Sequence, residues 1–211
     1  IIVGYVVSVS RPMRKLIQKM ARIPHSGRSA IVLVATVSLL ISLVNWAIST
    51  ILTALLVIAL AKRKELNMDY RAAAAAAIIG MGATWALGIS SSAAQLQANK
   101  ASLPESIYNL TGVIPFTETI FLWQSIVMTA ILIIVSIVIA YLSAPKGQNV
   151  KTMQDFNLNF DEEEKQELEQ TKSKRPGDWL ENSPILTILV LALGLIWMIL
   201  EFSKNNPIIA I

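Results

Sequence analysis

Ser29-Ala30-Ile31-Val32-Leu33-Val34-Ala35-Thr36-Val37-Ser38-Leu39-Leu40-Ile41-Ser42-Leu43-Val44-Asn45-Trp46-Ala47-Ile48-Ser49-Thr50-Ile51-Leu52-Thr53-Ala54-Leu55-Leu56-Val57-Ile58-Ala59-Leu60-Ala61 carries no acidic or basic side chain. As one straight α-helix this segment would be ~50 Å long, against a bilayer hydrocarbon core of ~30 Å. It is too long for one crossing and too short for two. Basic residues flank it on both sides: Arg11, Arg14, Lys15, Lys19, Arg22 and Arg28 before it, Lys62, Arg63, Lys64 and Arg71 after it. Such clusters beside apolar spans mark the cytoplasmic face. With both ends on one side, the segment predicts a re-entrant hairpin over 28–62, its half-helices meeting near Val44-Asn45-Trp46-Ala47. A single long tilted helix is the alternative, and it would set the two basic clusters on opposite faces.

The rest of the chain has the same character. Of 211 residues, 54% are hydrophobic and 15% charged, and the mean hydropathy is +0.57, a membrane protein's profile. Three more uncharged stretches, Ala72 to Asn99, Thr119 to Pro145 and Asn182 to Leu200, supply about the 20 residues that a helical crossing needs. Barrel strands would be shorter and half polar. The predicted fold class is all-α: a polytopic transmembrane helical protein with a re-entrant hairpin and a broken helix.

Charge parity then orders the chain. Residues 1–10 read as the end of a truncated transmembrane helix and 11–27 as a cytoplasmic amphipathic connector, with Met13, Leu16, Ile17, Met20 and Ala21 on one stripe. After the hairpin, 71–94 is a broken transmembrane helix, 95–117 an external loop, 118–143 a returning transmembrane helix and 144–182 a cytoplasmic polar segment. Residues 183–202 cross outward again, and 203–211 form a truncated external end. With Ile1 in place of an initiator Met, the chain is expected to be a fragment. Within 71–94, Ala72, Ala76, Gly80, Thr84, Gly88 and Ser92 recur every fourth residue, a face allowing close helix approach, and the break is expected toward the outer end. There, Gly88 and three consecutive serines are poor material for a lipid-facing helix.

The net charge of +4 lies beside the apolar spans, which points to a bilayer and away from nucleic acid. There is no Cys, and the single His25 sits among basic residues in a loop, so neither a thiolate metal site nor redox chemistry is expected. No nucleophile triad, phosphate loop or nucleotide fingerprint is present, and the chain does not read as an enzyme. Asp161-Glu162-Glu163-Glu164 lacks the glycine-spaced pattern of a calcium loop and reads as a solvated linker. The expected chemistry is binding. Two interrupted apolar segments are the sequence form of carriers whose site lies near the midplane between broken helices. A half-helix N-terminus offers backbone N–H groups and a positive dipole end, which suit a carboxylate at depth.

The candidate substrate-binding residues are Asn45, Trp46, Ser49, Thr84, Trp85, Gly88, Ser90 and Ser91, with Thr50 beside them. The hydroxyls and the amide would hydrogen-bond a carboxylate, and the two Trp would enclose a short aliphatic tail. The plainer alternative has Ser and Thr satisfying carbonyls of their own helices and the Trp packing between spans. No ionisable side chain lies inside the proposed spans, which disfavours a proton relay and suits Na+ better than H+ as a coupling ion. No other cofactor is expected.

Val44-Asn45-Trp46, the Thr84-Trp85 and Gly88 region with its serines, Leu110 to Phe121 and Leu180-Glu181-Asn182-Ser183-Pro184-Ile185-Leu186-Thr187 together resemble the bacterial short-chain fatty acid transporter family. Those are acetoacetate and butyrate uptake carriers related to the ion transporter superfamily. The resemblance covers nearly the whole chain. It implies a carrier of about twice this length, built from two inverted repeats, with this chain one partial repeat and its second repeat elsewhere in the same protein. It also implies a small monocarboxylate as substrate, a multi-pass location in the bacterial cytoplasmic (inner) membrane, and secondary transport by alternating access. A homo-oligomer is compatible with it. A dicarboxylate or other organic-anion carrier, and a non-transporting scaffold or assembly subunit, remain as alternatives; the scaffold predicts unbroken helices.

Overall fold

The computed structural model describes residues 11–156, 158 and 184–203, in two units divided after Leu158. The first unit contains α1 (Arg11–Ala21), α2 (Gly27–Ser42), α3 (Trp46–Ala61), α4 (Tyr70–Ala83), α5 (Ser92–Ala98), α6 (Glu105–Thr111) and α7 (Trp123–Ser143). The second contains α8 (Pro184–Ser203). No strand occurs among the described residues, and the protein is an all-α membrane protein.

The helices α2, α3 and α4 each start where a side chain can take up free N–H groups. Ser26 and Ser29 form a capping box at α2, Asn45 caps α3, and Asp69 caps α4. α2 and α3 hold 16 residues each, about 24 Å apiece at 1.5 Å per residue. They run back on each other through Leu43-Val44-Asn45, and Ser49 Oγ donates across the pair to Ser38 O at 2.9 Å. α4 packs against both, and α7 packs against α2 and α4. Leu39, Leu52, Leu56, Leu60 and Val34 are buried between them. Small residues let α4 come close: a Cβ on Gly80 would stand 2.1 Å from Ser38 O. By length and composition the interrupted segment Tyr70–Ala98 and the helix Trp123–Ser143 can each cross a membrane. α7 exposes Ile126, Ile131, Ile134 and Leu142, side chains suited to lipid.

The ends of α2 (Gly27), α3 (Ala61), α4 (Tyr70) and α7 (Ser143) that bear the basic residues lie together. Asp69 is the fastener there. Its Oδ1 accepts the Ala72 N–H at 2.9 Å, and its Oδ2 accepts the Lys151 N–H at 2.8 Å and Arg71 Nη2 at 2.9 Å. Tyr70 N–H donates to Lys151 O at 2.8 Å, so the stretch after α7 is pinned to the start of α4. Burial pushes the Asp69 carboxyl up, but the Arg71 guanidinium and the two backbone N–H groups outweigh it and hold the group below its ordinary value.

Several expected boundaries move. α1 covers the amphipathic connector's helical part, burying Ile17 and Ala21 while leaving Leu16 exposed. The expected loop 95–117 includes the end of α5 and all of α6. The helix expected from 118 starts at Trp123: the Phe121 N–H turns back to Phe116 O at 2.9 Å, and the two rings meet edge-on at 6.3 Å. Within 144–182, residues 147–149 and 153–156 form single helical turns. The expected segment 1–10, the acidic run 161–164 and the end beyond Ser203 lie outside the described residues.

Candidate functional site

Two chain breaks meet at one place. The first is Leu43-Val44-Asn45, where Asn45 is extended (φ −156°, ψ 114°) and its Oδ1 accepts the N–H groups of Ala47 and Ile48, both at 3.0 Å. The second begins at Thr84, where α4 ends; a single turn over 85–87 follows, then Gly88 in extended conformation, and Ser91 Oγ caps α5 at the Ala94 N–H at 3.3 Å. Ser90 joins the two. Its N–H donates to Leu43 O at 3.0 Å, and its Oγ accepts the Trp46 N–H at 3.1 Å. Gly88 makes the approach possible, since a Cβ there would lie 2.2 Å from Leu43 O. The residue is needed for closeness rather than for its backbone angles.

Beneath the joint runs a ladder of buried hydroxyls. Ser42 Oγ and Thr84 Oγ1 are 2.7 Å apart, and Thr84 Oγ1 donates to Leu39 O at 2.8 Å. Ser38 Oγ donates to Ala77 O at 2.8 Å and accepts the Gly80 N–H at 3.0 Å. Thr53 Oγ1 lies within reach of three carbonyls, Ser49 O at 2.6 Å, Ala77 O at 2.8 Å and Thr50 O at 3.2 Å. Each buried hydroxyl of the ladder thereby finds a carbonyl acceptor in the apolar core and none leaves its O–H unpaired. No charged residue lies within 38–53 or 77–91, so the local field is one of oriented dipoles.

Of the residues expected to form the site, Asn45, Trp46, Thr84, Gly88 and Ser90 come together in this joint. Asn45 and Trp46 are exposed there, Gly88 and Ser90 half-buried, and Thr84 buried. Ser49 and Ser91 are buried and committed to Ser38 O and to the α5 cap, while Thr50 bonds Trp46 O of its own helix at 2.9 Å. Trp85 is half-buried in the turn that ends α4. The first N–H groups of α3, expected to be open, all have protein acceptors: Ser90 Oγ, Asn45 Oδ1 and Asn45 O. Sequence reasoning missed Ser38, Ser42 and Thr53. Their signal was present: Ser38 and Ser42 on one arm mirror Thr53 and Ser49 on the other about the Asn45–Trp46 break, and once the arms fold back Ser38 and Thr53 both donate to Ala77 O.

A helical membrane unit built on a hairpin and an interrupted helix, joined tip to break, is the class that fold and joint define. The chain belongs to the short chain fatty acid transporter family, whose model matches residues 1–211. Two curated relatives, one from Escherichia coli (strain K12) and one from Haemophilus influenzae, each described as a "putative short-chain fatty acid transporter", are similar to it. They are 29% and 27% identical over 206 and 210 residues. In both cases 98% of this chain is covered, and the chain spans 45% and 46% of the relatives' lengths, a little under half. No solved structure matches the chain.

Proposed function

We propose that this chain forms part of a secondary carrier that moves short-chain fatty acids across the bacterial cytoplasmic membrane by alternating access. The reading rests on the joint in which Ser90 ties the Leu43–Asn45 turn to the break after α4. Interrupted helices are the carriers' device for placing backbone dipoles at mid-membrane depth, whereas a scaffold has no use for them.

In the proposed substrate wall Asn45, Trp46, Trp85, Gly88 and Ser90 face the substrate, and the buried Ser49, Thr84 and Ser91 support them from behind. A carboxylate displacing Asn45 Oδ1 and Ser90 Oγ finds the N–H groups of Trp46, Ala47 and Ile48 already aligned at the positive end of α3. The two indoles flank the joint and give the aliphatic tail an apolar lining. In this reading α2 and α3 are the arms of a re-entrant hairpin, each shorter than the ~30 Å core, and their basic ends lie in the cytoplasm. The coupling ion is Na+ or H+, and a second repeat of the same protein closes the site from the other side.

The test is uptake of radiolabelled butyrate and acetoacetate into proteoliposomes holding the full-length protein, under imposed Na+ or H+ gradients, beside the Asn45→Ala and Trp85→Ala variants. Gradient-driven accumulation that the variants lose is the expected result. Accumulation unchanged in both variants would remove the site from the joint, and none under either gradient would remove the transport reading.

A further inference from the structure

At the basic end of the helices lies an open groove of about 360 Å³, lined among others by Ser26, Arg28, Asn67, Asp69 and Lys146. It gathers three separate pieces of chain: the start of α2, the turn before α4 and the turn after α7. Asn67 is held in the left-handed region (φ 45°), and the chain at Gly27 approaches it so closely that a Cβ there would lie 2.6 Å from Asn67 O. The groove is thus built by tight backbone contacts.

Its charge is uneven in a useful way. Arg28 is fixed over the Tyr141 ring, 5.4 Å from its centroid, with Nη2 3.4 Å from Ala144 O. Those partners orient the guanidinium without neutralising it. Lys146, two residues beyond Ala144, is exposed in the same lining. The ion pairs between described side chains, Arg63 with Glu65 and Arg71 with Asp69, involve neither cation. Asp69 is the one acid in the lining, and both its oxygens are occupied by Arg71 and by the backbone of Ala72 and Lys151. The positive end of the α2 dipole adds to the same sign.

We infer that this groove binds a phosphate group, carried by the headgroup of an anionic phospholipid. The placement argues for the lipid source. The groove opens where α2, α4 and α7 leave their apolar stretches, which is headgroup level for helices of this length, and α7 beside it presents Ile139 and Leu142 to the lipid side. Basic pockets between helices on the cytoplasmic side suit acidic headgroups, each Lys or Arg near the surface strengthening attraction about five-fold. Arg28 supplies a forked donor and Lys146 a point charge, and Asn67 and Ser26 can hydrogen-bond headgroup hydroxyls. The inference needs a membrane protein and does not depend on what the carrier transports.

The experiment titrates the full-length protein, purified in neutral detergent, with phosphatidylglycerol, phosphatidylcholine and inorganic phosphate, reading bound lipid by native mass spectrometry. Circular dichroism checks that each variant is folded. We expect phosphatidylglycerol to bind and phosphatidylcholine not, with the Arg28→Gln/Lys146→Gln double variant about thirty-fold weaker. Lys64→Gln, an exposed basic residue outside the groove lining, should change binding less than about five-fold. Equal losses in Lys64→Gln and the double variant would show diffuse attraction and overturn the site. Displacement of the lipid by equimolar inorganic phosphate would overturn the lipid source in favour of a free anion. If the double variant misfolds, Arg28→Lys decides: it keeps the charge and loses the fork, so wild-type binding by it would overturn the assigned role of the guanidinium.

Discussion

The hydroxyls of Ser42 and Thr84 stand 2.7 Å apart in a fully buried setting, 42 residues apart in the chain and on opposite sides of the joint between hairpin and broken helix. Both lie within reach of Leu39 O, Thr84 at 2.8 Å and Ser42 at 3.1 Å, so removing one hydroxyl leaves the other its carbonyl but deletes the bond between the two. Thr84→Val keeps the shape and deletes the hydroxyl. It should lower stability by about 1 kcal/mol, read from thermal unfolding in detergent, while Thr84→Ser stays near wild type.

The glycines divide by what a methyl group would meet. Gly80→Ala and Gly88→Ala each drive a carbon into backbone, Ser38 O and Leu43 O respectively, and overpacking of this kind costs ~1–3 kcal/mol or more. A Cβ on Gly82 would meet nothing within 4 Å. Gly82→Ala should therefore be neutral or stabilising by up to about 1 kcal/mol, through helix propensity. Melting temperatures of the three variants check the order.

Asp69 fixes the acid behaviour of the basic end. Its folded pKa lies below its ordinary value of 3.8, so the unfolded chain takes up the proton first as pH falls. The contribution is complete above that ordinary value and is lost as pH drops through the lowered folded one. Asp69→Asn should be less stable than wild type at neutral pH and should flatten the loss of stability in acid, measured by melting between about pH 3 and pH 7.

At the hairpin tip, capping and substrate contact can be separated. Asn45→Ala removes the acceptor for two N–H groups and should cost about 1 kcal/mol, whereas Asn45→Ser retains a good cap. If Asn45 acts on substrate as proposed, Asn45→Ser keeps the melting temperature and still loses uptake. Normal uptake in the serine variant would reduce the residue to a cap.

Much of this architecture was written locally. The length of the uncharged run and the Asn at its centre announce the turn at 43–45, and Gly88 with its serines announces the break after Thr84, because caps and breakers act within a few residues. The joint itself was only half legible. Asn45, Trp46 and Ser90 stand out as polar or aromatic residues in apolar surroundings, but the partners of Ser38 and Thr53 lie on other helices, and a serine within a helix bonds its own turn just as readily. The hold of Asp69 on Lys151 spans 82 residues, and no local pattern marks it. α7 starts at Trp123, after a turn in which the Phe121 N–H closes back on Phe116 O, a bond that the apolar run does not announce.

Thr53 has one proton and three carbonyls within its reach. A small rotation of that hydroxyl hands the bond from Ala77 O on α4 to Ser49 O or Thr50 O of its own helix, so its proton keeps an acceptor either way. The crossing of α4 with the hairpin is thus fastened by a proton with a choice of acceptors, a fastening that does not hang on one exact geometry.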